Sequence, residues 1–238
     1  MARDLRTLFL DTASSSLFVA LLVDGQVAAH RSTLNGRSVA DLHPTITTLL
    51  LDSGVRIEEI DQFAVVKGPG NWTGVNVGVV AAKMFALPLR KPLVLLSRMR
   101  ALIEFAPHEA SGLALISAGK SALFAAAFAR RQPIEAPGHE APDSESQRLS
   151  FDEVSALWAK SSSPNLIAPE MDVNQINLLN LPEARLLITP SADQLRSAVL
   201  GQLDSPSALK LEGDDIHLAL PDYAGADRTI HTSPGSFR

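Results

Sequence analysis

The stretch Lys67-Gly68-Pro69-Gly70-Asn71-Trp72-Thr73-Gly74-Val75-Asn76-Val77-Gly78 joins an apolar run, Phe63 to Val66, to an alanine-rich helical pattern. Gly-Pro-Gly is a turn signal, so the spacing predicts a strand, a sharp turn and a helix from about Thr73 to Leu87. Inside that helix Gly74, Gly78, Ala82 and Ala86 recur every four residues and form a nearly bald stripe on one face. Two interior glycines cost about 2 kcal/mol relative to alanine. The stripe therefore asks for a neighbouring backbone at close range.

Upstream, Leu8 to Thr12, Leu17 to Val23 and Gln26 to His30 read as three short strands, with Ala13-Ser14-Ser15-Ser16 and Asp24-Gly25 as turns. Ser38 to Asp52 places Val39, Leu42, Ile46, Leu49 and Leu50 at helical spacing, and Gly54 marks its stop. Downstream come a strand at Leu93 to Leu96 and a helix from Ser97 to Phe105. The order is βββαβαβα. From Leu113 it begins again more faintly, with apolar runs at 113–117 and 122–128, a helix at 151–159, strands near 165–168 and 185–188, and a helix at 191–203. This pattern suggests a duplicated fold, with a boundary between Pro107 and Gly112. Gln132 to Gln147, rich in Pro, Glu, Ser and Gly, reads as a solvated linker, and the tail after Tyr223 as mobile.

The formal charge of −5 is uneven: residues 1–107 carry 11 Lys and Arg against 9 Asp and Glu, whereas residues 108–238 carry 10 against 17. Phosphate contacts are built from Lys and Arg, so the acidic second half argues against a nucleic-acid surface there. Cysteine is absent, which excludes disulfides, thiolate metal sites and cysteine nucleophiles. Asp11 interrupts the apolar run of Leu8, Phe9 and Leu10 well short of a signal-peptide core, and nothing later approaches a membrane span in length. A cytoplasmic protein with no membrane partner is expected.

No histidine has another three or four residues away, so no helical metal pair is visible. Gly119-Lys120-Ser121 resembles the end of a phosphate loop, but the first glycine of that motif falls on Ala114, and a hairpin is the better reading. The loop at 68–78 fails the dinucleotide fingerprint, with Thr73 where the third glycine belongs. Its helix N-terminus, with Gly68, Gly70 and Thr73, and Asp11 at the end of the first strand are candidates for holding an anion or nucleotide. Asp at a strand end is more often a turn residue.

Leu10-Asp11-Thr12-Ala13, the Gly68-Pro69-Gly70-x-x-Thr73-Gly74 loop, the strand Pro92 to Leu96 and the late Pro221-x-Tyr223 together resemble the TsaB (YeaZ-like) family, most strongly over residues 7–105. The resemblance implies an α/β protein of the actin-like ATPase (ASKHA, RNase H-like) fold, with two related βββαβα-type domains with mixed sheets: 1–107, and a smaller, divergent 108–238 whose last helix can pack back on the first. It also implies a noncatalytic partner of the paralogue TsaD in placing threonylcarbamoyl on tRNA adenosine, with the P-loop ATPase TsaE as a further partner. A homodimer is possible, tRNA is met only through the complex, and no cofactor or metal is expected. TsaD holds its metal through a His-x-x-x-His pair, and the corresponding positions here are Arg98 and Leu102. The chain departs from the family pattern at Asn71, Trp72 and Asn76 in the loop, at Ser38, and in the spacing from Tyr223 to Arg228.

Two functions follow as expectations. In the first, Leu42, Ile46, Leu49 and Leu50 with the stripe Gly74, Gly78, Ala82 and Ala86 form the face that grips TsaD, internal packing being the competing role for the stripe. In the second, the chain is a magnesium-dependent ATPase or small-molecule kinase using Asp11 and the 68–74 loop. A metalloprotease lacks both ligands and base.

Overall fold

A computed structural model describes residues 4–14, 16–33, 38–128, 146–161, 163, 165–179, 181–205 and 208–221. Tyr223, Arg228 and most of the 132–147 stretch lie outside these residues, except that Ser146 is buried and Gln147, read as linker, opens a strand.

The first half runs β1 (Arg6–Asp11), β2 (Leu17–Val23), β3 (Gln26–Thr33), α1 (Ser38–Asp52), β4 (Gln62–Gly68), α2 (Trp72–Leu89), β5 (Leu93–Ser97) and α3 (Arg98–Glu104). β1 pairs antiparallel with β2 and parallel with β4. Central strands are covered on both faces, which is why Leu8-Phe9-Leu10 and Phe63-Ala64-Val65-Val66 are unbroken apolar runs and wholly buried. β3, at the edge, is largely exposed. α1 packs on β2 and β3, α2 on β4 and β1, and the two helices touch.

The second half repeats the plan with β6 (Gly112–Ser117), β7 (Ala122–Phe128), β8 (Gln147–Ser150), α4 (Phe151–Ala159), β9 (Asn165–Ile167), α5 (Val173–Asn177), β10 (Arg185–Ile188) and α6 (Ala192–Gly201). The strands of the two halves are ordered β5-β4-β1-β2-β3 and β10-β9-β6-β7-β8, so each of these has its counterpart in the other half. Parallel and antiparallel pairings match as well. This is a duplicated fold with a mixed sheet in each half, as the resemblance implied. Gly119-Lys120-Ser121 is the turn of the β6–β7 hairpin, closed by Ala118 N donating to Ala122 O at 3.0 Å.

Alternation along β6 and β7 divides the core. Ala114, Ile116, Phe124, Ala126 and Phe128 join the core of the first sheet, while Leu113, Leu115, Leu123 and Ala125 face Val154, Trp158, Leu166 and Ile176. Equivalent helices α3 and α6 meet between the halves. Gln202, buried just beyond α6, fastens them: its Oε1 accepts from Ser97 N at 3.0 Å and its Nε2 donates to Ser97 O at 2.8 Å. The chain then returns to the first sheet as β11 (Leu209–Leu211), antiparallel to β5.

One length reading needs correction. α2, with 18 residues, is long and apolar enough to cross a membrane. Here it covers a sheet, with Gly74, Val75, Gly78, Val79, Ala82 and Ala86 buried.

Candidate functional site

The turn after β4 and the start of α2 are seated directly on the end of β1. Asn71 N donates to Ala13 O at 2.8 Å, and the Asn71 side chain caps α2 by accepting from Gly74 N at 3.2 Å. A Cβ on Gly74 would lie 2.0 Å from Thr12 O, and one on Gly78 would lie 2.2 Å from Thr12 Oγ1 and 3.4 Å from Val65 Cγ2. The close neighbour that the stripe requires is therefore the chain's own first strand. Ala82 and Ala86 are also fully buried, and Leu42, Ile46, Leu49 and Leu50 of α1 are at most 8% exposed. All eight residues expected to grip a partner are spent on the internal core, and they cannot form a docking face in this fold. Their periodicity reported burial, and burial inside the monomer satisfies it fully.

Asp11 ends β1 and is buried, with Oδ1 accepting from Ala13 N at 3.0 Å, the turn role of a strand-end aspartate. It lines a crevice with Ser14, Ser16, Arg98, Arg196 and the apolar side of α6, Leu195 and Val199. The crevice holds about 20 Å³, room for a water molecule and far below the roughly 300 Å³ at which small-molecule sites begin. Gly68 is buried at the end of β4, Gly70 lies under Ala13 O, and Thr73 is exposed on the first turn of α2. Of the anion candidates only Asp11 reaches the crevice.

Cationic side chains fill its walls. Arg98, 6% exposed at the head of α3, donates through one guanidinium nitrogen to Pro69 O at 3.3 Å. Leu102, the other position corresponding to the paralogue's metal pair, lies in the core. Arg196 reaches from α6 over the ring of Phe18, with its guanidinium carbon 4.3 Å from the ring centroid, and pairs with Asp193 at 2.6 Å. Across the junction, Asp172 accepts from Ser117 N at 3.0 Å; burial pushes its carboxyl up, while that bond and the Arg98 charge pull it down. The hydroxyl of Thr12 is buried without a partner. Among the described residues no three of His, Asp or Glu come together as metal ligands do.

The outward side of α2 is apolar instead, and α1 exposes Leu51 among polar residues. Leu51 is 74% exposed, Trp72 62%, Val80 53% and Met84 70%. Trp72, Val80, Met84 and the exposed Pro88 fall at multiples of four on α2, with Asn76 between them. Sequence reasoning missed this row because it followed the bald stripe. The signal was present: α2 carries apolar residues on the face opposite the stripe as well, and a helix that is apolar all round has a second surface to account for.

The model of the TsaD family, tRNA N6-adenosine threonylcarbamoyltransferase, matches residues 35–152, which include both helices. The tRNA threonylcarbamoyladenosine biosynthesis protein TsaB of Escherichia coli is 31% identical over 100 residues, covering 42% of this chain and 43% of that protein. Its Haemophilus influenzae namesake is 27% identical over 177 residues, covering 73% of this chain and 69% of that protein. YeaZ from Pseudomonas aeruginosa superimposes on 92% of this chain and 99% of its own, with a TM-score of 0.61 at 22% identity. The chain is similar to the TsaB proteins in sequence and in fold. The match to the E. coli TsaB spans less than half of that relative's length. The structural likeness, by contrast, runs through both halves of the fold.

Proposed function

We propose that this chain is a noncatalytic subunit of the machinery that makes N6-threonylcarbamoyladenosine in tRNA, and that it binds a TsaD-type catalytic paralogue through the outward faces of α1 and α2. The observation that carries this reading is the exposed apolar surface of Leu51, Trp72, Val80 and Met84 on a helix pair that lies within the TsaD-model match. Single exposed apolar residues are ordinary, but a row of them on touching helices marks an interaction surface. A paralogue built on the same helix pair can meet it in a quasi-symmetric way.

The water-sized crevice at Asp11 and the arginines lining it favour a subunit over an ATPase or kinase. Binding then acts by stabilising a competent state of the paralogue, to the extent that it prefers that state. TsaE joins the complex, tRNA is held by the other subunits, the free chain pairs with itself through the same face, and the setting is cytoplasmic. The test is tRNA modification reconstituted with the cognate TsaD, with and without this chain, beside a Mg-ATP titration of the chain alone. The reading expects modification to depend on the chain and the titration to be silent. Turnover of ATP by the isolated chain would establish the enzyme instead.

A further inference from the structure

We infer that the returning C-terminal segment, residues 209–220, forms the second half of the partner-binding surface. This rests on the reading that α1 and α2 face a TsaD-type paralogue. After β11 adds to the edge of β5, a 3₁₀ turn, Gly213–Leu218, packs against α2. Ile216 and Ala219 anchor it, at 1% and 0% exposed. Lys83 of α2 donates from Nζ to His217 O at 3.0 Å.

With those anchors inward, Leu218 and Leu220 stand outward, 66% and 55% exposed. The contact at Lys83 fixes where they stand. Val80 and Leu87, three before and four after Lys83, share its side of α2. The apolar surface of α2 thus meets the segment at Lys83, whose ammonium is engaged by His217 O, with Leu218 next along the chain. Size points the same way: a standard interface takes about 20–30 residues from each partner, more than the outward halves of two helices supply. The flank of α2 opposite the described segment is already taken by α1, so the surface extends toward Leu218 and Leu220. The occupant is the same paralogue.

The test uses the full chain and the purified cognate TsaD-type protein. Leu218→Ser combined with Leu220→Ser is expected to weaken binding at least tenfold, with an unchanged melting temperature, and amide exchange at 213–220 in the wild type is expected to slow on complex formation. Binding within twofold of wild type and unaltered exchange, while Met84→Glu abolishes the complex, would overturn the inference and leave the reading beneath it standing. If Met84→Glu also binds normally, that reading fails and the inference with it.

Discussion

The hydroxyl of Thr12 stands where a methyl group on Gly78 would have to go, 2.2 Å from the position of that methyl. One turn earlier, the carbonyl of the same threonine stands 2.0 Å from a methyl on Gly74. The difference between a side-chain atom and a backbone atom yields a prediction. Gly78→Ala and Gly74→Ala each destabilise the monomer by about 1–3 kcal/mol through overpacking. Thr12→Ala rescues the first and not the second, since it removes the Oγ1 that meets Gly78 and leaves the backbone carbonyl that meets Gly74. A double-mutant cycle by denaturant unfolding reads this directly, and equal rescue at both positions would contradict the geometry.

Burial separates the two faces of α1. Ile46→Ala, at a site 3% exposed, is expected to cost about 2–5 kcal/mol, whereas Leu51→Ser, at 74% exposed, stays within about 0.5 kcal/mol. Thermal unfolding of the two variants checks the order. Equal losses would mean that α1 is seated the other way round.

The Gln202 amide acts as an extra strand partner at the end of β5, holding both backbone groups of Ser97. Gln202→Ala takes the partner from those two part-buried groups, at a cost of about 1–3 kcal/mol. Amide exchange at Ser97 should accelerate with it. Unchanged protection there would show that other contacts hold the two halves together.

Asp172 sets a pH dependence. Its folded carboxyl lies above the ordinary value of 3.8, because burial outweighs the Ser117 bond and the Arg98 charge. The folded chain then holds that proton more tightly than the unfolded chain, so stability falls as pH rises from about 3.8 through the raised value. Asp172→Asn keeps an acceptor for Ser117 N and sheds the buried charge. The variant should match or exceed the wild type in stability at neutral pH, with the gap closing below the ordinary carboxylate range. A clear loss at neutral pH would mean that Arg98 depends on the charge more than burial opposes it.

Periodicity made the fold legible. The alternation and runs at 113–117 and 122–128, with Phe151–Ala159 and Ala192–Gly201, reproduce the plan of the first half, and the strand orders agree. Short elements escaped: β8, β11 and the turn at Gly213–Leu218 carry too few residues for a period to show, and pairing with neighbours creates them. The small-residue stripe was legible, and what it packs against was not. A Gly/Ala stripe states that something comes close but not which chain supplies it, and Thr12 of the same chain does. Asp11 was found by its strand-end position, but the arginines that narrow its crevice come from α3 and α6, brought there only by the duplication.

The outer face of α2 carries the functional claim, and Met84 is its most exposed large apolar side chain on that helix. The direct measurement is the affinity of the purified cognate TsaD-type paralogue for the wild-type chain and for Met84→Glu, by titration calorimetry on samples with equal melting temperatures. A charge at the centre of a desolvated interface should cost at least about 2 kcal/mol, some thirtyfold in Kd. Affinity within twofold of wild type would contradict the account.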